Sequence, residues 1–186
     1  MSFFELAIRP LMLTKAKKIN DCCKKFLKGK VLDVGSGRCY IAYEIQKKNK
    51  LNATCLDVKN LSQTNMNVVV YDGSNFPFKV NQFDTALVAY VFHHCEDPLQ
   101  VLKEVIRVCK GNIIIFEDTK PSPFTKTMDF LANKIRGVET PFKFKTESEW
   151  LGIFKKLNLK IIAVKHKVER EWFYPLVEHT MIVVRK

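Results

Sequence analysis

The chain has 186 residues, of which 47% are hydrophobic and 27% are charged, and its net charge is +12. This length and this balance predict one globular domain with a core of its own, and they exclude a disordered chain. No apolar run reaches the roughly 18 residues that a membrane span needs, and no signal peptide is recognisable, so we expect a cytoplasmic protein.

The positive charge is concentrated toward the two ends of the sequence. Residues 1–30 contain eight Lys and Arg against two Asp and Glu, and residues 121–186 contain thirteen against seven, whereas residues 31–120 are balanced at ten each. A solvated surface is one explanation of such flanks. The alternative is that they meet an anionic acceptor, a membrane surface or nucleic acid.

The six cysteines include no Cys-x-x-Cys pair and no His and Cys cluster at zinc spacing. We therefore expect reduced, mostly buried thiols and no metal site.

Residues 2–27 show helical periodicity, because Met12, Ala16 and Ile19 recur every three or four positions with lysines between them. Pro10 is expected to separate a short hydrophobic lead, residues 3–8, from the longer helix. We predict that this helix packs against the rest of the domain, with attachment to a membrane surface as the alternative.

The segment 31–39, VLDVGSGRC, is an apolar run that leads into a turn with two glycines. Gly35 and Gly37 allow a sharp turn and a close approach of backbone N–H groups to a ligand, as in nucleotide-type sites. A dinucleotide fingerprint needs a third glycine where this chain has Tyr40, which disfavours a nicotinamide or flavin cofactor. Asp33, two residues before the first glycine, suits a cationic or amine-bearing ligand instead.

Four more strands are predicted, at residues 51–58, 68–71, 83–91 and 113–116, and a polar or acidic patch follows each of them. The links after the second and third strands are too short for a full helix. Before the fifth strand, an amphipathic helix is expected, with Asp97 as its cap, Pro98 as its first residue and Gly111 as its stop. Since the carboxyl ends of parallel strands meet, the patches predict the ligand edge of an open α/β sheet.

A single domain with four parts is predicted. Prolines break the strand pattern after residue 118, and we interpret the segment there as a lid-like insertion around a helix at 124–135. A capping box of Thr146 and Glu149 starts the next helix, and the last two strands, 159–168 and 179–185, are close enough to pair antiparallel. The parts are an N-terminal helical cap (1–29), a ligand-binding core (30–118), the insertion (119–145) and a C-terminal helix and strand pair (146–186).

Together these motifs resemble those of the class I S-adenosylmethionine-dependent methyltransferases, in particular the small-molecule branch with a Rossmann-like core. VLDVGSG resembles the first motif, LDV at 56–58 the second-strand acid, and YDGSNFPF at 71–78 the third-strand aspartate. The segment 83–111 is similar to the fourth strand, its double histidine and the following helix. The resemblance implies S-adenosyl-L-methionine as cofactor and an α/β fold, with a mostly parallel seven-stranded sheet, helices on both faces and an antiparallel last strand.

By position, the resemblance places the glycine turn beside the cofactor and Asp33 near its amino-acid end. Asp57 is expected to accept hydrogen bonds from the ribose hydroxyls and Asp72 to meet the adenine amine, with a loop cap as the alternative role of each acid. Cys39 stands where the family usually has a third glycine, and it would narrow the methionine end of the pocket. The predicted cofactor-binding residues are Asp33, Gly35, Ser36, Gly37, Asp57, Val58, Asp72, Gly73, Ser74 and Tyr90.

Methyl transfer from a sulfonium is an in-line displacement, in which a protein aligns the acceptor, excludes water and, where needed, removes a proton. His93 and His94 follow the fourth strand and are the candidate catalytic residues, since a histidine can act as a base near neutral pH. Lining of the pocket is their alternative role. Further candidates are Glu117, Tyr174 and His179, and an apolar acceptor pocket could use Trp172, Phe173 and Tyr174.

The favoured hypothesis is a methyltransferase that acts on a small-molecule acceptor held between the N-terminal helix and the insertion at 119–145. One alternative is a nucleic-acid methyltransferase that uses the basic flanks. The other is a catalytically silent cofactor-binding partner protein, because Cys39 and the short links depart from the family pattern.

Overall fold

The computed structural model describes residues 3–120, 127, 141, 143–168 and 179–186. The helices within these residues are α1 (Phe3–Cys23), α2 (Tyr40–Asn49), α3 (Pro98–Val108) and α4 (Glu147–Lys156). The strands are β1 (Lys30–Val34), β2 (Asn52–Asp57), β3 (Val68–Val70), β4 (Phe83–Ala89), β5 (Cys109–Asp118), β6 (Lys160–Lys165) and β7 (His179–Arg185). Trp172, Phe173, Tyr174 and all but Thr127 of the predicted helix at 124–135 lie outside the described residues.

Within the described residues, seven strands form one sheet in the order β3-β2-β1-β4-β5-β7-β6. Strands β1 to β5 run parallel, and β7 lies antiparallel between β5 and β6. The predicted mostly parallel sheet with an antiparallel last strand is confirmed. Because the strand order reverses between β1 and β4, a crevice forms outside their carboxyl ends, where ligands of such sheets bind.

Helices cover both faces of the sheet, as predicted. On one face α1 and α2 bury Ile19 and Ile45 in a cluster that includes Leu87 of β4. On the other face α3 and α4 bury Leu102 and Trp150 in a second cluster. Full burial of a large apolar side chain contributes about 1.5–3 kcal/mol, so these two layers hold the sheet and fix the edge that faces a ligand.

The links on either side of β3 contain no helix, as their lengths predicted. The link to β4 is instead attached to α3 through an ion pair. Glu104 accepts a hydrogen bond from the backbone N–H of Phe76 at 2.8 Å and binds Arg107 at 2.6 Å. Arg107 also donates to the carbonyl oxygen of Phe78 at 2.8 Å. Two side chains of α3 therefore hold a link that has no helix of its own.

Two local predictions were wrong. Helix α1 runs through Pro10 without a break, because the fixed φ of proline suits a helix, whose packed later turns outweigh one lost hydrogen bond. Gly111 lies inside β5, and α3 already ends at Val108. A Cβ atom at position 111 would lie 2.2 Å from the carbonyl oxygen of Asp84, so the close approach of β4 and β5 requires this glycine.

The six cysteines are free thiols. Within the described part of the chain, no helix is long and apolar enough to cross a membrane. The described residues also include no group of three or more His, Cys, Asp and Glu side chains placed to hold a metal ion.

Candidate functional site

The glycine turn after β1 is held by the end of β2. The backbone N–H groups of Gly35 and Ser36 donate to the carbonyl oxygen of Leu56 at 2.8 and 3.1 Å, and that of Gly37 donates to Asp57 Oδ2 at 2.7 Å. Gly37 has a φ of +51°, and a Cβ atom there would meet no atom of the described residues within 4 Å. The turn thus combines a backbone that favours glycine with open space for a ligand.

Gly35 is required for a different reason. Its φ is +65°, and a Cβ atom would lie 2.4 Å from a methyl carbon of Val91. Because Val91 follows β4, this contact brings the glycine turn against the segment that carries His93 and His94.

Asp33 is buried behind the turn with 1% of its surface exposed. Its Oδ2 atom has no hydrogen-bond partner among the described residues. Burial, and then the charges of Cys39 and Asp57, raise the pKa of Asp33 well above its ordinary value. A buried carboxylate oxygen without a partner is costly unless a ligand supplies a cation or a donor, so the position suits an amine.

Cys39 is the N-cap residue of α2, with a φ of 63° and a fully buried side chain. A residue with a Cβ atom pays roughly 1–2 kcal/mol in this left-handed region, which explains why glycine is usual there. Hydrogen bonds from the thiol of Cys55 and from the hydroxyls of Ser36 and Ser62 lower the pKa of Cys39 to about 6, against the effect of burial. The thiol lies 3.7 Å from the hydroxyl of Ser36 and 3.8 Å from the carbonyl oxygen of Gly37, and a narrower methionine end of the pocket stays a prediction.

Asp57 lies at the carboxyl end of β2, directly across from the glycine turn. Besides Gly37, its carboxylate accepts a hydrogen bond from the backbone N–H of Lys59 at 3.3 Å. A carboxylate has about four acceptor positions, so this one can still accept from ligand hydroxyls. Val58, next to it, is 45% exposed, and Gln63 N–H donates to the carbonyl oxygen of Arg38 at 3.1 Å, which ties the link after β2 to the turn.

Asp72 is exposed and caps its own loop. Its carboxylate accepts hydrogen bonds from the backbone N–H groups of Ser74 and Asn75 at 2.8 and 2.7 Å, and from the amide of Asn75 at 3.0 Å. These bonds lower the pKa of Asp72 to about 2. Gly73 follows with a φ of +88°. The geometry is that of the loop-cap alternative, and the adenine contact stays a prediction.

Tyr90 lies where β1 and β4 diverge and has a φ of 60°. Its backbone N–H donates to the carbonyl oxygen of Phe116 at 2.8 Å. The ring lies 4.5 Å from that of His179, and the ammonium group of Lys15 lies 4.0 Å from its centre. Lys15 was not predicted, since helical periodicity assigns it to a polar face without indicating its neighbour.

His93 and Glu117, which the sequence proposed separately, form one buried pair. His93 Nδ1 lies 2.6 Å from Glu117 Oε2, and the two side chains are only 4% and 3% exposed. Glu117 Oε1 accepts hydrogen bonds from the N–H groups of Val91 and Phe92 at 3.1 and 2.8 Å. Since β4 and β5 are neighbours, their carboxyl ends bring the pair together.

Two rings enclose His93. Phe144 stacks on it with ring centres 4.6 Å apart and an angle of 12°, and His94 lies 3.9 Å away. The backbone N–H of Lys143 donates to the carbonyl oxygen of His93 at 2.9 Å. The short segment before α4 therefore covers one side of this histidine, an arrangement that the sequence did not predict.

A known protein family matches the part of the chain that forms this crevice and the strands around it. Residues 32–116, from β1 to β5, match the family model of a methyltransferase domain. This match agrees with the resemblance of the motifs to the class I S-adenosylmethionine-dependent methyltransferases. The matched range contains the glycine turn, Asp57, Asp72, Tyr90 and both candidate histidines.

Other proteins are similar to this chain in sequence or in fold. An uncharacterized protein of Methanocaldococcus jannaschii is 27% identical over 146 residues, which are 77% of this chain and 71% of that protein. A Thermotoga maritima structure, described as a SAM-dependent and possible histamine N-methyltransferase, has a TM-score of 0.68 at 17% identity and covers 99% of this chain and 97% of its own. A chain from the complex of the Haloferax volcanii Trm112 methyltransferase activator with a methyltransferase has a TM-score of 0.70 at 13% identity, over 98% and 95% of the two chains.

The residues of the crevice fit S-adenosylmethionine, the cofactor of the family that the motifs resemble. The partnerless Oδ2 of Asp33 is placed for an ammonium group, and the open side of Gly37 leaves room for a ligand against the backbone. Asp57 offers a carboxylate to hydroxyl groups at the neighbouring strand end. These observations fit a zwitterionic amino acid joined to a ribose.

Proposed function

We propose that this methyltransferase transfers the methyl group of S-adenosylmethionine to a small-molecule acceptor in the cytoplasm. The observation that carries the proposal is the buried pair of His93 and Glu117, which Phe144 covers. A base that is almost completely enclosed can be reached by a small acceptor more readily than by the surface of a macromolecule.

The cofactor would be held by groups at three neighbouring strand ends. Asp33 would pair with its ammonium group, the turn from Gly35 to Gly37 would lie along its amino-acid part, and Asp57 would bind the ribose hydroxyls. When bound, the cofactor supplies an electrophilic methyl group on a sulfonium. Asp72, Gly73, Ser74 and Val58 border the position proposed for adenine.

His93 is proposed as the base, with Glu117 as its positioning residue. When the Nδ1–H group of His93 donates a hydrogen bond to Glu117, the proton of the neutral ring stays on Nδ1. The other ring nitrogen, Nε2, is then unprotonated and can remove a proton from the substrate. Glu117 is itself fixed by the N–H groups of Val91 and Phe92. The pair therefore sets both the tautomer and the direction of the ring.

Calorimetric titration with S-adenosylmethionine and S-adenosylhomocysteine tests the cofactor site. We expect micromolar binding by the wild type and a loss of tenfold or more in Asp57→Ala, since a hydrogen bond to a charged group contributes about 1.5–3 kcal/mol. Asp84→Ala is the matched control, because Asp84 also accepts a backbone N–H, at 2.8 Å from Lys30, but lies at the opposite edge of the sheet. No binding by the wild type would refute the proposal.

Transfer of a labelled methyl group into extract fractions tests the acceptor class and the base. Label is expected in the small-molecule fraction, with turnover reduced about 10²–10⁴-fold in His93→Gln because general-base catalysis contributes that much. Glu117→Gln should lower turnover and shift its pH profile, while both variants still bind S-adenosylhomocysteine. Label in nucleic acid would favour nucleic acid as the acceptor. Full turnover by His93→Gln would show that His93 is not the base.

A further inference from the structure

The acids of the candidate site and a group of exposed lysines lie at opposite edges of the sheet. At the carboxyl edge lie Asp33, Asp57, Asp72, Glu117 and Asp118, all at or just beyond strand ends. The amino edge, where the parallel strands begin, is lined by lysines at the ends of α1 and α2. We call this second group the basic rim, and it consists of the exposed side chains of Lys24, Lys25, Lys28, Lys47, Lys48 and Lys50.

The same edge continues to the far side of the sheet with further exposed cations. Lys110 precedes the regular part of β5, and Lys160 and Arg185 pair in register at the start of β6 and the end of β7. Two acids with exposed or half-buried side chains, Asp21 and Asp84, lie at this edge among the described residues, and both are already partnered. Asp21 lies 3.2 Å from Lys24, and Asp84 lies 3.0 Å from Lys110.

Helix ends explain only part of the basic rim. Lys47 and Lys48 occupy the last turn of α2, where a positive charge offsets the helix dipole by about 0.3–1 kcal/mol. Lys28 and Lys50 lie outside the regular helices, and neither forms an ion pair within the part of the chain that the structure describes. Local stability therefore does not account for the lysines in the loops.

We infer that the basic rim binds the phosphate backbone of a nucleic acid, at a site separate from the methyl-transfer crevice. The ten residues of α2 separate the glycine turn from the rim by about 15 Å, so the two sites do not overlap. Seven strands spaced about 4.8 Å apart give an edge of about 30 Å, along which a duplex presents one negative charge per about 1.7 Å.

The surroundings of the rim favour nucleic acid over a membrane. Insertion into a bilayer surface needs clustered large apolar side chains beside the lysines. Among the described side chains of α1 and α2, none is an exposed large hydrophobic residue. Val80 is 62% exposed near this edge, and Ile161 and Ile162 are 42% and 36% exposed, but Val80 borders β4 whereas the two isoleucines lie in β6, and two strands separate β4 from β6.

Fluorescence anisotropy with labelled single-stranded and duplex RNA tests the inference. The wild type should bind, and its affinity should fall steeply between about 50 and 200 mM salt. In the triple variant Lys25→Glu, Lys28→Glu and Lys48→Glu, affinity should drop at least tenfold. The slope of log K against log salt should become shallower by about 2, because three phosphate contacts are lost at about 0.7 each on a single strand.

The matched control changes three exposed lysines away from the rim to the same final net charge, namely Lys103→Glu, Lys120→Glu and Lys167→Glu. It should keep the wild-type salt slope. An equal loss in both triple variants would refute a localised site, and so would binding to vesicles with anionic lipids in place of RNA. The rim variant should still bind S-adenosylhomocysteine, so failure here is distinguishable from failure of the proposed methyl transfer.

Discussion

The buried carboxyl group of Asp33 is the clearest case of a residue whose proposed function opposes stability. Since its pKa is raised in the folded state, the native protein binds a proton there more tightly than the unfolded chain does. Stability is therefore highest below the unfolded pKa of about 3.9 and falls as pH rises through the folded pKa. Asp33 is expected to destabilise the ligand-free protein at neutral pH.

Asp33→Asn should therefore raise the stability of the ligand-free protein at pH 7 and weaken cofactor binding. The neutral amide removes the cost of a buried negative charge, and with it the partner of the ammonium group. Urea unfolding at pH 7 and near pH 4 measures the effect, which should shrink at the lower pH. A variant that is less stable than the wild type at pH 7 would contradict the role given to Asp33.

At the scale of single residues, the sequence supplied candidate members of the site but not their pairings. The motif placed Cys39 where glycine is usual, and the reason, a φ of 63°, is a backbone angle that residue types alone do not determine. His93 and Glu117 were both candidates, but their contact depends on which strands are neighbours and on side-chain rotamers. Periodicity likewise carries no information on the approach of Lys15 to Tyr90.

At the scale of elements, α3 stabilises a link as well as its own face of the sheet. The hydrogen bond from Arg107 and then that from Phe76 lower the pKa of Glu104, against the effect of burial. Because the folded pKa is depressed, this stabilisation is present above the unfolded pKa of about 4.3 and is lost as pH falls through the folded pKa.

Glu104→Gln should destabilise the protein by about 2 kcal/mol at pH 7, since it weakens the pair and the bond to the link. Chemical denaturation at pH 7 and pH 4 gives the size and the pH dependence, and the difference from the wild type should shrink in acid. Glu96→Gln, which changes an exposed loop acid, serves as the control. An equal effect of the two substitutions would rule out the special role of Glu104.

The sequence predicted which segments form helices and strands more accurately than it predicted where these elements end. Apolar runs predicted the strands, and short links predicted that no full helix lies beside β3, because burial sets the apolar pattern over many residues. Pro10 and Gly111 were misjudged because a single residue was read as a local stop. Packing of the later turns of α1 outweighed the effect of Pro10, and the close approach of β4 to β5 explains why Gly111 lies inside a strand.

For the whole molecule, the folded distribution of charge differs from its distribution along the sequence. Residues 31–120 are neutral in sum, yet folding sends Lys47, Lys48 and Lys50 to one edge of the sheet and Asp57 and Asp72 to the other. Counting charges by segment could not predict this, because alternate ends of successive elements reach opposite edges. The fold class followed from the motifs, whereas the strand order needed the structure.

The short strand β3 has a consequence for how a ligand binds. Three residues long, it pairs with β2 at the outer edge of the described sheet, without a helix in either adjoining link, and Val70 is 55% exposed. Local unpairing of such an edge strand costs less free energy than unfolding of the central strands. A cofactor that contacts both Asp57 and Asp72 binds only the closed edge, so its observed affinity is the intrinsic affinity multiplied by the closed fraction. Substitutions far from the crevice that loosen β3 therefore weaken cofactor binding slightly.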